Sequence, residues 1–216
     1  MSCYSNSNDC EGNMVLTDVD IRQLLKENKN FISPFNEHKL SAASYDVSIG
    51  SVVYEIAVTA NVVTLNDQPS IDNGYTKVDL SEGLILKPGQ YVLCPLAEQI
   101  SLPDNVIARV MPRTRYTRMG LLLAPQYCNP SYSGTLSLGL RNASPNNVML
   151  VPGLSIGQLI FERLEHQPSE NKLYRNQPGS FYQDEIEFVG AKFGNELSDE
   201  ANQVYEAMLR KLSGEN

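Results

Sequence analysis

Apolar residues in this chain follow two rhythms. Between Thr17 and Asn30 the apolar positions Ile21, Leu24 and Leu25 share one face of a 3.6-residue period. Thr17 can cap the first turn, and Asp18 and Asp20 suit the positive end of a helix dipole, so the spacing predicts a helix that ends near Asn28 to Asn30. From there to about residue 165 the pattern changes to short apolar or alternating runs broken by Pro, Gly and Asn: SYDVSIGSVVYEIAV, GLILKPGQYVLCPL, DNVIARVMP, GTLSLGL, NVMLVPG and SIGQLIFERL. Short strands at this spacing predict an all-β sandwich or barrel rather than βαβ units. Helical spacing returns at Ala201, Val204, Tyr205, Met208 and Leu212, behind a capping Ser198 and acidic Asp199 and Glu200, with Gly214 as a stop.

These changes of rhythm divide the chain into four parts. Residues 1–13 form a polar tail expected to be disordered, 14–165 a β domain, 166–195 a lid or extended tail rich in Gln, Asn and Tyr, and 196–216 a C-terminal helix. A length of 216 residues suits one substantial core with trimmings.

A net charge of -8 argues against a protein that coats nucleic acid, because such binding rests on Lys and Arg displacing phosphate counterions. It leaves room for a local basic site that takes a small phosphate compound. No run approaches the roughly 18 apolar residues that span a bilayer, and MSCYSNSNDCEGN has neither a basic region nor an apolar stretch, so a soluble, cytoplasmic protein with no membrane partner is expected. Cys3, Cys10, Cys94 and Cys128 show no CxxC spacing, and His38 and His166 are the only histidines. A zinc deaminase needs an H-x-E and a P-C-x-x-C element, so no zinc is expected. Cys94 and Cys128 read as buried structural thiols.

Candidate chemistry lies in four scattered stretches. In MPRTRYTRMG, Arg113, Arg115 and Arg118 crowd together with Thr114 and Thr117, a set suited to phosphate oxygens because guanidinium groups bind them bidentately. A surface salt-bridge strip is the alternative that composition leaves open. In AASYDVSIG, Asp46 could face a hydrated Mg²⁺ beside a triphosphate, or could be a turn or cap carboxylate. Gln158 is the one ligand-competent side chain of LVPGLSIGQLIFERL. In the fourth stretch, LLLAPQYCNPSYSG, Asn129 and Tyr132 flank a Pro turn, and the continuation NPSYSGTLSLGLRN carries no acidic residue.

In this order the stretches resemble the dCTP deaminase and trimeric dUTPase superfamily, closest to the deaminase branch, from about residue 14 to 183. LTDVDIRQLLKENKNFISPFNEHKLSAASYDVSIG is similar to that branch's opening helix, "PF" turn and "S-Y-D" motif, and PRTRYTRMG to the P-R-S or R-S-S-x-x-R phosphate core. PGLSIGQLIFERL looks like the motif with a phosphate-binding Gln, and KLYRNQPGSFYQ resembles the lid that closes over the nucleotide. The resemblance implies a mainly β fold, a distorted β-barrel or jelly roll of the dUTPase-like type with an N-terminal helix and an added C-terminal helix. It also implies a homotrimer with active sites at subunit interfaces, binding dCTP or dUTP with Mg²⁺ and acting as a deaminase or diphosphatase. Nucleotide and phosphate binding would then fall to Arg113, Thr114, Arg115, Arg118, Gln158, Tyr174 and Gln183, the base and sugar pocket to Gln126, Tyr127, Asn129 and Tyr132, and Mg²⁺ to Asp46 through water.

The pattern breaks where catalysis would sit. The dUTPase branch's water-activating Asp, five residues before the Gly of D-x-x-Y-x-G, corresponds to Asn129, whose amide accepts no proton. The deaminase branch's Glu on the following strand corresponds to Gly139. Phe181 stands where a lid Lys is expected, Arg115 where a small Ser is expected, and the dUTPase branch's glycine-rich arm is absent. The alternative reading is therefore a catalytically inactive nucleotide-binding protein, a sensor, sequestering protein or regulatory subunit. Glu162, Glu165, Asp184 and Glu185 read as solvated or paired charges.

Overall fold

A computed structural model describes residues 14–59, 62–193 and 197–213. The expected tail over 1–13, with Cys3 and Cys10, and the stop at Gly214 lie outside the described residues. In chain order the elements are β1 (Met14–Val15), α1 (Asp18–Glu27), β2 (Ile32–Ser33), β3 (Leu40–Ser41), β4 (Ser44–Ser48), β5 (Val52–Ile56), α2 (Gln68–Asp72), β6 (Tyr75–Asp79) and β7 (Leu84–Leu86). They continue through β8 (Tyr91–Ser101), β9 (Val106–Pro112), α3 (Thr114–Arg118), β10 (Leu121–Leu123), β11 (Gln126–Cys128), β12 (Ser133–Asn142), β13 (Val148–Leu150), β14 (Ser155–Arg163) and α4 (Asp199–Ser213).

Helix α1 begins and ends where its sequence directs. The Asp20 carboxylate accepts from the backbone N–H and the hydroxyl of Thr17 at 2.9 and 2.7 Å, and Asn28 closes the last turn onto the Leu24 carbonyl. Ile21 and Leu24 are buried and Leu25 packs partly against the same core.

Two antiparallel sheets carry the domain. One runs β11-β9-β14-β4-β3 with β1 added on β14; the other runs β10-β12-β8-β5-β6 with β2 added on β8, and β13 pairs with β7 apart from both. Neither strand path closes on itself among the described residues, so the fold is mainly β, as expected, in the form of facing sheets. Strand β8 shows how alternation builds the core: Val92, Cys94, Leu96 and Ile100 point inward, and the same period brings Glu98 inside with them. Phe31 and Phe161 meet in the core with ring centroids 4.8 Å apart.

The register of β12 on β8 shifts between Thr135, opposite Gln99, and Ser137, opposite Pro95. Pro95 has no N–H for the ladder, and the two extra residues on β8 bend the pair at this point. Glu98 lies within that bulge. Its carboxylate accepts from the Ser48 N–H at 2.9 Å and pairs with Lys39, which also donates to the Ser48 hydroxyl at 2.7 Å.

Cys94 and Cys128 are buried and free, and burial pushes both thiols up to about 12, which fits the structural role expected of them. In α4, Ala201 donates to the Ser198 hydroxyl at 3.2 Å, the expected cap, while Val204, Met208 and Leu212 remain exposed. No helix among the described residues is long and apolar enough to cross a membrane.

Candidate active site

The candidate residues form two groups. The first lies on the sheet containing β4, β14 and β9. Gln158 pairs in register with Asp46 on one side and with Met111 on the other, which sets Asp46 and Gln158 side by side on one face. Arg113, just past β9, reaches back to Asp46 with an N···O distance of 2.7 Å and donates to the Ser155 carbonyl at 3.5 Å. Both partners are about four-fifths shielded from solvent, so this pair is firmer than a surface contact. Thr114, Arg115 and Arg118 follow in the single turn of α3 and are exposed; neither Arg115 nor Arg118 has an ion pair among the described residues. The salt-bridge alternative thus describes Arg113 alone.

The second group surrounds a cavity of about 500 Å³. Strand β11 and the turn after it contribute Gln126, Tyr127, Cys128, Asn129 and Tyr132, and the part of β12 opposite the β8 bulge contributes Leu136 and Ser137. The amide of Gln126 donates to the Ser137 carbonyl at 2.8 Å and holds the two strands at this end. Tyr91 comes from β8 and Tyr75 from β6; Tyr174, Tyr182, Glu185 and Phe188 come from the segment beyond β14. Of the nucleotide and phosphate candidates only Tyr174 lines it, with Gln183 bonded to the adjoining turn, so within one chain Asp46, Arg113, Thr114, Arg115, Arg118 and Gln158 are not brought to the base candidates.

A glycine makes the cavity wall possible. Gly134 has φ of +144°, and a Cβ there would lie 2.9 Å from the Glu185 nitrogen and 3.0 Å from the Tyr132 hydroxyl. With no side chain at that point, the later segment runs alongside β12: Asp184 donates to the Ser133 carbonyl and Thr135 to the Glu185 carbonyl, both at 2.7 Å. Gln183 adds side-chain bonds to Ser133 and Ser131 of the same turn, and Tyr174 packs against Tyr132 with ring centroids 5.7 Å apart. The segment is then fastened at its far end. Phe188 stacks on Tyr54 at 3.9 Å, Ala191 donates to the Tyr75 hydroxyl at 3.0 Å, and Gln68 of α2 donates to the Ala191 carbonyl at 2.9 Å.

Polar groups in the cavity are unevenly satisfied. The Tyr132 hydroxyl and the Ser137 hydroxyl are buried without a hydrogen-bond partner, at a cost of about 1–3 kcal/mol each. Glu185 is 8% exposed and its Oε1 accepts from the Val189 N–H at 2.8 Å. Burial outweighs that bond and raises the carboxyl from the usual range to about 7. Burial, with Glu185 next in effect, likewise holds the Tyr132 hydroxyl far above the ordinary tyrosine range.

The two expected carboxylate positions are now visible in space. Asn129 lines the cavity, and its carbonyl accepts from the Tyr132 N–H. At Gly139 a Cβ would lie 2.7 Å from the ring carbon Cζ of Tyr91, with the hydroxyl closer still, so Tyr91 fills the space beside that strand position. Sequence reasoning did not single out Tyr91, Tyr182 or Phe188, and it set Glu185 aside as a solvated or paired charge. No residue pattern marked Glu185, because alternation in EIEF points to Ile186 and Phe188 as the inward pair, whereas Ile186 is 74% exposed.

Residues 15–164 match the family described as dCTP deaminase-like. The chain is 33% identical to a dCTP deaminase, dUMP-forming, from Beutenbergia cavernae, over 79% of its own length and 90% of that protein's. It is 30% identical to a protein of the same name from Dictyoglomus thermophilum, over 78% and 89%. The crystal structure of the 2'-deoxycytidine 5'-triphosphate deaminase from Agrobacterium tumefaciens superposes with a TM-score of 0.58 at 20% identity, over 70% of this chain and 48% of that one, a likeness of fold. With a match that spans residues 15–164, more than half of its length, the chain belongs to the dCTP deaminase-like family.

Proposed function

We propose that the protein binds a pyrimidine deoxyribonucleoside triphosphate, dCTP or dUTP, and deaminates dCTP. The observation that carries this reading is the cavity of about 500 Å³, of the size of small-ligand sites, with tyrosine walls and two buried hydroxyls that lack partners. A planar base suits the tyrosine walls, on which it can stack. Gln126, Tyr127, Asn129 and Tyr132 would hold base and sugar.

Phosphates go to Arg113, Thr114, Arg115, Arg118 and Gln158, with Tyr174 and Gln183 on the covering segment, described over 166–193. Because the two groups lie apart in one chain, the complete site joins the cavity of one subunit to the arginines of another in a homotrimer. Asp46 fits Mg²⁺ through water only: its Oδ2 is engaged by Arg113, and the described residues contain no cluster of three His, Cys, Asp or Glu side chains able to hold a metal. The ion would arrive with the nucleotide, ligated by phosphate oxygens and water, and neutralise phosphate charge.

Calorimetry with dCTP and dUTP in Mg²⁺, followed by chromatography for dUTP, dUMP and pyrophosphate, tests both halves of the proposal. Binding with product formation is expected. Failure to bind either nucleotide would overturn it. A second reading, binding without chemistry, is favoured by the Tyr91 ring beside Gly139 and would be chosen by tight binding with no product.

A further inference from the structure

Among the described residues the cavity is lined by one carboxyl group, and it comes from the covering segment rather than from a strand. Glu185 is placed there by a short parallel bridge to Gly134, which the bonds from Asp184 and Thr135 fix on both sides. Its Oε1 is occupied by the Val189 N–H, and no Lys or Arg among the described residues forms an ion pair with it. The titratable residues lining the cavity with it are Tyr75, Tyr91, Tyr127, Cys128, Tyr132, Tyr174 and Tyr182, and Asp184 precedes it on its own segment. Tyr132 and Ser137, whose hydroxyls lack partners, line the same cavity, and the Tyr132 hydroxyl lies within 3.0 Å of the Cβ position at Gly134 that the Glu185 nitrogen also crowds. A buried carboxyl without an ion pair, set in an otherwise aromatic cavity wall, is fitted to a heterocycle edge that carries an amine next to a ring nitrogen.

Resting on the nucleotide reading above, we infer that Glu185 is the catalytic residue of this cavity, the group that moves protons between water and the cytosine ring. In the step this implies, a water oxygen attacks ring carbon C4 while the Glu185 carboxylate takes one water proton and passes it to ring nitrogen N3. The second proton leaves the new C4 hydroxyl through the same carboxyl to the exocyclic amine. The C4–N bond then breaks, its electron pair leaving with ammonia, and the C4 carbonyl forms. Cytosine and water give uracil and ammonia, with no oxidation, and Glu185 ends as the carboxylate it began as.

The burial that raises this group sets its pH signature. A carboxyl that titrates near 7 must lose its proton before it can accept one from water, so kcat/KM for dCTP rises with pH through about 7 and then levels off. The test uses the full chain with Mg²⁺ and dCTP, comparing wild type with Glu185→Gln, whose amide oxygen can still accept from Val189. Expected are dCTP affinity within threefold of wild type, turnover lower by about 10²-fold or more, and loss of the rising limb. Turnover within threefold of wild type, or a variant that keeps the limb, would overturn the assignment. So would a wild type that binds dCTP and forms no product, an outcome that leaves the binding part of the nucleotide reading intact; a wild type that binds neither dCTP nor dUTP rejects that reading itself. If Glu185→Gln does not fold, the wild-type profile decides, and a flat profile through about pH 7 rejects Glu185.

Discussion

The ring of Tyr91 stands against Gly139, with its Cζ 2.7 Å from the place a Cβ would take. A side chain at position 139 therefore requires Tyr91 to move. Gly139→Ala alone should destabilise the fold by about 1–3 kcal/mol, the usual cost of overpacking. Adding Tyr91→Ala should recover part of that loss, and a double-mutant cycle by urea denaturation reads the coupling. Strictly additive losses would show that Tyr91 swings clear at no cost. Gly139→Glu should likewise fail to install a strand carboxylate unless Tyr91 is shortened in the same chain.

Lys39 and Glu98 form a charged pair in which the carboxylate side is 1% exposed and the lysine 24%. Lys39→Met removes the cation and leaves Glu98 to Ser48 alone, so a loss of about 3 kcal/mol is expected from an uncompensated buried charge. Chemical denaturation at neutral pH measures it. A loss below about 1 kcal/mol, the range of exposed pairs, would mean that water reaches Glu98.

Gly134→Ala tests the seam between β12 and the covering segment. The new methyl would meet the Glu185 nitrogen at 2.9 Å on a backbone with φ of +144°. Faster hydrogen exchange across 182–191 is expected, with the core strands unchanged. Uniform acceleration over the whole chain would instead indicate global destabilisation.

The raised carboxyl of Glu185 makes stability depend on pH in a stated direction. The folded state keeps its proton to about pH 7, whereas the unfolded chain releases it near 4.5. The stabilisation is therefore complete below about 4.5 and lost as pH rises to about 7, on the order of 3 kcal/mol in all. Glu185→Gln has no such group, so the difference in Tm between variant and wild type should move in favour of the variant from pH 5 to pH 8. A difference that does not change with pH would contradict the burial of this group.

Arg118→Ala should weaken dCTP binding by about tenfold while leaving deoxycytidine binding unchanged, as expected of a lost charge-assisted phosphate contact. Calorimetry with the two ligands separates the roles. Equal weakening of both would move Arg118 from the phosphates to the base.

Much of this architecture was legible in sequence because it rests on period. Thr17, Asp20 and Asn28 bound α1 as their chemistry dictates, and every apolar run named in the sequence carries a strand. The inward place of Glu98 was readable too, since it falls in step with Val92, Cys94, Leu96 and Ile100. Other features were beyond local pattern. The bulge at Thr135 and Ser137 depends on the partner strand, and the burial of Glu185 depends on a missing side chain at Gly134, about fifty positions away along the sequence. Asp46 and Arg113 were each singled out, but only the strand order β9-β14-β4 makes them neighbours.

The far end of the covering segment is held by Phe188 on Tyr54, Ala191 on Tyr75 and Gln68, and Lys192 on Asp72. These contacts are made by the protein with itself, so they belong to the clock of the site rather than to its affinity. On the nucleotide reading proposed above, this fastening is expected to slow the exchange of a guest seated behind Tyr182 and Phe188. Loosening it should shorten residence time and speed entry together, with the equilibrium constant nearly unmoved.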